Sequence, residues 1–138
     1  MYPAQSKVPS IKDTVRLEIW TKITNTGRNN YFKHKEAALG LAVDRANRYA
    51  EIYKYRFNKI TIKNQKTRWG SCSKKRNLNF NYRILFLPEE IRDYIVVHEI
   101  CHLKELNHSR KFWALVAQVF PNHKEIKREL RDKGLSIS

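Results

Sequence analysis

Residues 88–107 read as a helix that is apolar on nearly every side and still carries two histidines one turn apart. Ile91, Tyr94, Ile95, His98 and His102 share one face at helical spacing, and Val96, Val97, Ile100 and Leu103 are apolar on the others. Such a helix belongs at the centre of a domain, not on its surface. Burying two imidazoles there is costly unless something pairs with them. Pro88 fits the first helical position, and Glu89 and Glu90 suit the positive end of the dipole. The helix is expected to stop near Asn107, since Asn accepts the left-handed terminal conformation.

The rest of the chain must wrap this helix. With 138 residues there is room for one well-packed domain. Hydrophobic residues at 41% and charged residues at 30% exclude a wholly disordered chain, and no apolar run reaches the length of a membrane span. Residues 1–12 carry Pro3 and Pro9 without periodicity and read as a tail, leaving 13–138 as the domain. Alternation of Val15, Leu17 and Ile19 predicts a strand over 14–24, and residues 25–30 read as a loop. A helix follows over about 33–55, with Leu39, Ala42, Val43, Ala46, Tyr49, Ala50 and Tyr53 as its apolar stripe and Arg45 and Arg48 off it. Ile60 and Ile62 restore a strand, expected to continue, bent, through residues 66–72. Residues 73–77 form a turn, and Leu78, Phe80 and Tyr82 a further strand. Ser109 caps a helix with Phe112, Leu115, Val116, Val119 and Phe120 as its stripe, ended by Pro121. Asn122, with Glu125 three residues on, starts a last helix through Lys133, closed by Gly134. The expected class is α+β, a small sheet covered by helices on one face.

The central helix contains His98-Glu99-Ile100-Cys101-His102. Two imidazoles at i and i+4 can chelate one ion, and Glu99, one step round, can take a proton from water beside that ion. His108 follows six residues after His102, and a helix ending near Asn107 can turn it back to the same ion. Three nitrogens and a water make an open tetrahedral zinc site, one Zn2+ per chain. Metzincins place a Gly midway in that spacing, where this chain has Glu105, so the turn must be built differently. Cys72 and Cys101 offer an alternative closed site with His98 and His102, which would leave His108 and Glu99 idle.

Other residues are weaker candidates. Trp69, Gly70 and Ser71 read as an edge strand against which an extended peptide could pair. Arg110 and Lys111 place positive charge in the first turn of a helix, against its dipole, and could hold an anionic substrate group. Tyr82, Tyr94 and Arg83 are candidates to stabilise an oxyanion.

These motifs, in order, resemble a known family. Thr67-Arg68-Trp69-Gly70-Ser71-Cys72, Leu78-Asn79-Phe80-Asn81, Leu87-Pro88, the 98–103 segment, Asn107-His108-Ser109 and Phe112-Trp113 resemble the YgjP-like branch of the SprT-like zinc metallopeptidases, in the WLM superfamily. The resemblance covers roughly residues 33–134. It implies a compact zincin-like domain, zinc at His98, His102 and His108, and Glu99 as catalytic acid/base.

Peptide hydrolysis is therefore the leading expectation. A metal-dependent nucleotide pyrophosphatase or other phosphoester hydrolase competes with it, because 28 Lys and Arg against 13 Asp and Glu give a net charge of +15. Two-metal phosphatases want several carboxylates, however, and only Glu99 is in place. A third expectation is a protease acting on nucleic-acid-bound proteins. Arg45, Arg48, Lys54, Arg56, Lys63, Lys66 and Arg68 are the candidate polyanion contacts, since the charge excess concentrates in residues 1–68. A non-catalytic zinc module would leave Glu99 without a role. The start of the chain lacks a signal-peptide core, so the cytoplasm is the expected compartment and no membrane partner is expected.

Overall fold

A computed structural model of the protein describes residues 27–132. The expected tail, the strand over 14–24 and the close at Gly134 lie outside the described residues. Helix α1 runs Gly27–Tyr53 and is followed by strands β1 (Lys59–Lys63), β2 (Gly70–Cys72) and β3 (Asn77–Asn81). A 3₁₀ turn over Tyr82–Phe86 leads into helix α2 (Glu89–Cys101), then α3 (Arg110–Ala117) and α4 (His123–Arg131). The expected α+β layout holds.

Helix α1 begins six residues before the expected start, through a stretch of turn-prone composition. Tertiary contacts outweigh that weak local preference. Asn30 Nδ2 donates to the Tyr82 hydroxyl at 3.2 Å, and the Tyr31 hydroxyl donates to the Ile62 carbonyl at 3.2 Å. The buried column on α1 is Ala38, Ala42, Ala46, Tyr49, Ala50 and Tyr53. Leu39 and Val43, expected in that stripe, lie a step round and are exposed. Arg45, expected on the surface, is buried instead. It pairs with Glu89 Oε2 at 3.2 Å and Asp93 Oδ1 at 3.6 Å, while the Tyr49 hydroxyl donates to Asp93 Oδ2 at 2.8 Å. This polar clamp ties α1 to the start of α2.

The sheet order is β1-β3-β2, with β1 parallel and β2 antiparallel to β3. The expected bent continuation of β1 into 66–72 is instead a crossover to the far side of β3. Polar side chains hold that crossover: Asn81 Nδ2 donates to the carbonyls of Gln65 (2.6 Å) and Arg68 (3.0 Å), and Arg83 donates to the Gln65 carbonyl at 2.8 Å. Among the described residues β2 is therefore an edge strand, carried over α2 by the fully buried Leu78 and Phe80 of β3. Burying each such side chain contributes roughly 1.5–3 kcal/mol.

All residues of α2 from Ile91 to Cys101 are buried, as its apolar circumference requires. It ends at Cys101, six residues short of the expected end, and residues 102–104 form a turn. Ser109 caps α3, its Oγ accepting from the Phe112 N–H at 3.2 Å. α3 stops at Ala117, before Pro121. Asn122 precedes α4, but its side chain makes no cap and its Nδ2 lies 3.4 Å from Glu90 Oε2, so the expected capping box does not form. No helix among the described residues is long and apolar enough to cross a membrane.

Candidate metal centre and active site

The early end of α2 builds the site. His98 lies in the last turn of the helix and His102 at its C-cap, and the turn after His102 brings the chain back within six residues. His108 Nε2 then lies 3.2 Å from His98 Nε2 and 3.1 Å from His102 Nε2. The three ligand atoms fall within 4.8 Å of one another, and no cysteine joins the group among the described residues.

Two nitrogens bound at 2.0–2.1 Å to one tetrahedral ion sit roughly 3.3 Å apart. The observed spacings fit that requirement. The tautomer fits as well. His102 Nδ1 lies 2.9 Å from the Glu105 carbonyl, an oxygen that can only accept. The proton is therefore on Nδ1, and Nε2 turns its lone pair towards the other two histidines. Glu105 thus serves through its backbone, where a metzincin would have its Gly. Residue type could not have signalled this, because every residue carries a carbonyl.

Phe112 fixes the ring planes. It is fully buried, and its ring centroid lies 4.9 Å from His98, 4.4 Å from His102 and 5.0 Å from His108. His98 and His102 are buried and His108 is exposed, so the centre opens to solvent on the His108 side. Glu99, fully buried, is covered by β2: a Cβ added at Gly70 would meet Glu99 Cγ at 3.3 Å. Sequence alone marks Gly70 as a place of close approach but not what approaches it.

The remaining candidates are dispersed. Trp69 is fully buried, and Ser71 Oγ accepts from Asn79 Nδ2 at 3.2 Å. Arg83 NH1 donates to Gln65 O and lies within 3.3 Å of Asn64 Oδ1 and Asn81 Oδ1, which gives it to the β1–β2 crossover. The Tyr82 hydroxyl is met by Asn30. Tyr94 sits edge-on to His98 at 6.0 Å, and burial pushes its phenol well above the ordinary range, so it keeps its proton. Arg110 and Lys111 are exposed on the first turn of α3. Arg48, Lys54, Arg56, Lys63, Lys66 and Arg68 are exposed, with Lys54 3.4 Å from Glu51. Burial, then the charge of Glu99, pushes the Cys72 thiol up to about 11. Burial takes Cys101 to about 12. Both are free thiols rather than thiolates at neutral pH.

The family model described as "YgjP-like, metallopeptidase domain" matches residues 21–133. Two solved structures are similar. The metallopeptidase zymogen abylysin of Pyrococcus abyssi is 29% identical with a TM-score of 0.64, covering 70% of this chain and 99% of its own. The metallopeptidase zymogen jannalysin of Methanocaldococcus jannaschii is 28% identical with a TM-score of 0.59, covering 67% of this chain and 95% of its own. No curated protein matches the chain at a significant level.

Proposed function

The chain belongs to the YgjP-like metallopeptidase family, and from that membership we propose that it is a zinc-dependent peptidase of the His-Glu-x-x-His type. The observation that carries the reading is the convergence of three Nε2 atoms beside a buried glutamate. His98, His102 and His108 would hold the ion. When bound, zinc supplies Lewis acidity, polarising a peptide carbonyl and bringing the pKa of a water to about 7. Glu99 receives the proton from the attacking water and returns it to the leaving amine. The Phe112 ring keeps the imidazoles in place as charge develops. Tyr94, protonated and beside His98, is the candidate second donor to the oxyanion.

The edge of β2 left open among the described residues is the proposed dock for an extended substrate. A peptide pairing there lies over the strand that covers Glu99, so its backbone is aligned with the base. Gly70 keeps the strand close to Glu99.

The test compares wild type with Glu99→Gln on casein, with and without chelator. The amide is nearly isosteric but cannot take the proton, so the variant should keep its metal and lose hydrolysis by several powers of ten. Near-normal turnover would remove Glu99 from the role, and loss of metal would make it a ligand. Because both structural neighbours were crystallised as zymogens, metal content is measured alongside hydrolysis, so that a latent protein still tests the centre.

A further inference from the structure

A groove of about 520 Å³ runs between α3 and α4, lined by Arg110, Trp113, Ala114, His123, Lys124 and Lys127. Three of the six lining side chains are cations, and no carboxylate pairs with any of them among the described residues. The first turn of α3 contains no acid, so Arg110 meets the positive end of the helix dipole uncompensated. Lys124 stands in the first turn of α4. Glu125 shares that turn and Lys127 lies one turn on, so the dipole penalty falls on Arg110, and it is the gathering of three cations round one groove that a bound anion would relieve.

The groove is joined to the three-histidine centre through one side chain. The Trp113 ring stacks on His123 at 4.9 Å and 17°, with Lys127 Nζ 4.7 Å from its centroid. The same ring lies 5.8 Å from His108 at 27° and 5.8 Å from His98. In extended chain, successive residues advance about 3.3 Å. A peptide with its reacting carbonyl at the histidines therefore brings a side chain two or three residues on past the edge of Trp113 to the groove. Burial, then the charges of Lys124 and Lys127, holds the His123 pKa below its ordinary value, so at neutral pH its ring is a flat uncharged wall and the three cations supply the charge.

We infer that this groove is a specificity subsite for an acidic side chain, Asp or Glu, of a peptide substrate, held by Arg110, Lys124 and Lys127 against Trp113. The assignment rests on the metallopeptidase reading above. Charge selects against Lys and Arg at that position, and Ala114 and the edge of the Trp113 ring line the groove beside the methylenes of Glu. A groove of this size, separated from the histidines by the Trp113 ring, suits one carboxylate better than a run of phosphates.

Zinc-loaded full-length protein digests a mixed peptide library, and the cleaved bonds are read by mass spectrometry. Asp and Glu should be enriched about tenfold at one position near the cleaved bond, the scale of a few partly exposed ion pairs. The triple variant Arg110→Glu/Lys124→Glu/Lys127→Glu should turn that preference towards Lys and Arg, and Lys127→Gln alone should weaken it should the triple variant not fold. Cleavage with no acidic preference in wild type overturns the subsite and leaves the peptidase reading standing. An acidic preference that persists in folded variants overturns it too. A second readout needs no turnover. The capped peptide acetyl-Ala-Glu-Ala-amide should shift the Trp113 indole N–H resonance, assigned through Trp113→Phe, at lower concentration than its Gln counterpart. That result without any hydrolysis would support the groove and count against the peptidase reading. Equal binding of the Glu and Gln peptides would overturn the groove. So would a single-stranded oligonucleotide that displaces the Glu peptide from wild type at far lower concentration, because the groove would then read phosphate.

Discussion

Gly70→Ala is the smallest change that reaches the proposed base from outside its helix. The glycine's φ lies outside the left-handed region, so alanine brings no backbone strain and acts through space alone. The added methyl would meet the Asn79 carbonyl oxygen at 3.1 Å, Phe80 Cδ1 at 3.2 Å and Glu99 Cγ at 3.3 Å. Ordinary carbon contacts lie at about 3.5–4.0 Å, so each neighbour must yield a few tenths of an ångström. The carbonyl belongs to the β2–β3 ladder and the Phe80 ring is fully buried. Glu99 is the group that gives way. Overpacking of this kind costs about 1–3 kcal/mol, and the lower chain entropy of unfolded alanine offsets about 0.4–1 kcal/mol of it. The net loss of about 0.5–2 kcal/mol should lower Tm by about 2–8 °C in calorimetry. A shift of about 1 Å in a reacting group can cost about a hundredfold, so a few tenths should cost about three- to tenfold in kcat. Zinc content should not change. A variant that melts with wild type and turns over at its rate would refute the packing of β2 on Glu99.

Three further outcomes follow from the same structure. Asp93→Ala takes a buried carboxylate from Arg45 and leaves the Tyr49 hydroxyl without its acceptor, so denaturant unfolding should show a loss of about 3 kcal/mol; a change below about 1 kcal/mol would contradict the clamp. Burial raises the Asp93 carboxyl above its ordinary 3.8 despite Tyr49 and Arg45, so the fold binds its proton more tightly than the unfolded chain. Its favourable contribution is present below pH 3.8 and is lost as pH rises through the folded value, a trend that should be missing from the pH–stability profile of Asp93→Asn. If the exposed Arg48, Lys54, Arg56, Lys63, Lys66 and Arg68 meet nucleic acid, duplex DNA should bind with a log–log salt slope of about −0.9 per neutralised phosphate, and reversing four of them should weaken binding without touching zinc; no binding at about 50 mM salt would leave the charge a matter of solubility.

What could be read from the sequence was whatever rested on local periodicity. The central helix, the strand through Leu78 and Phe80 (though not Tyr82, which opens the 3₁₀ turn), the Ser109 cap and the spacing of the three histidines all depend on side chains within a few residues of one another. What could not be read was set by distant partners. The first turn of α1 is held by Tyr82, far along the chain. Arg45 is buried because Glu89 and Asp93 meet it across a helix interface. The crossover between β1 and β2 hangs on Asn81 and Arg83, polar residues with no periodic signature. The end of α2 at Cys101 was missed because Asn107 offered a local stop, whereas the turn that delivers His108 is held through a backbone carbonyl. The contacts of Trp113 with His123 and Lys127 emerge only from the docking of α4.

The central claim is that one zinc ion is held by His98, His102 and His108. Elemental analysis of protein loaded with zinc and then desalted tests it without any assumption about substrate. One zinc per chain in wild type, and none in the folded His98→Ala/His102→Ala variant, is the predicted result. Full occupancy in that double variant, or no zinc in the wild type, would contradict it.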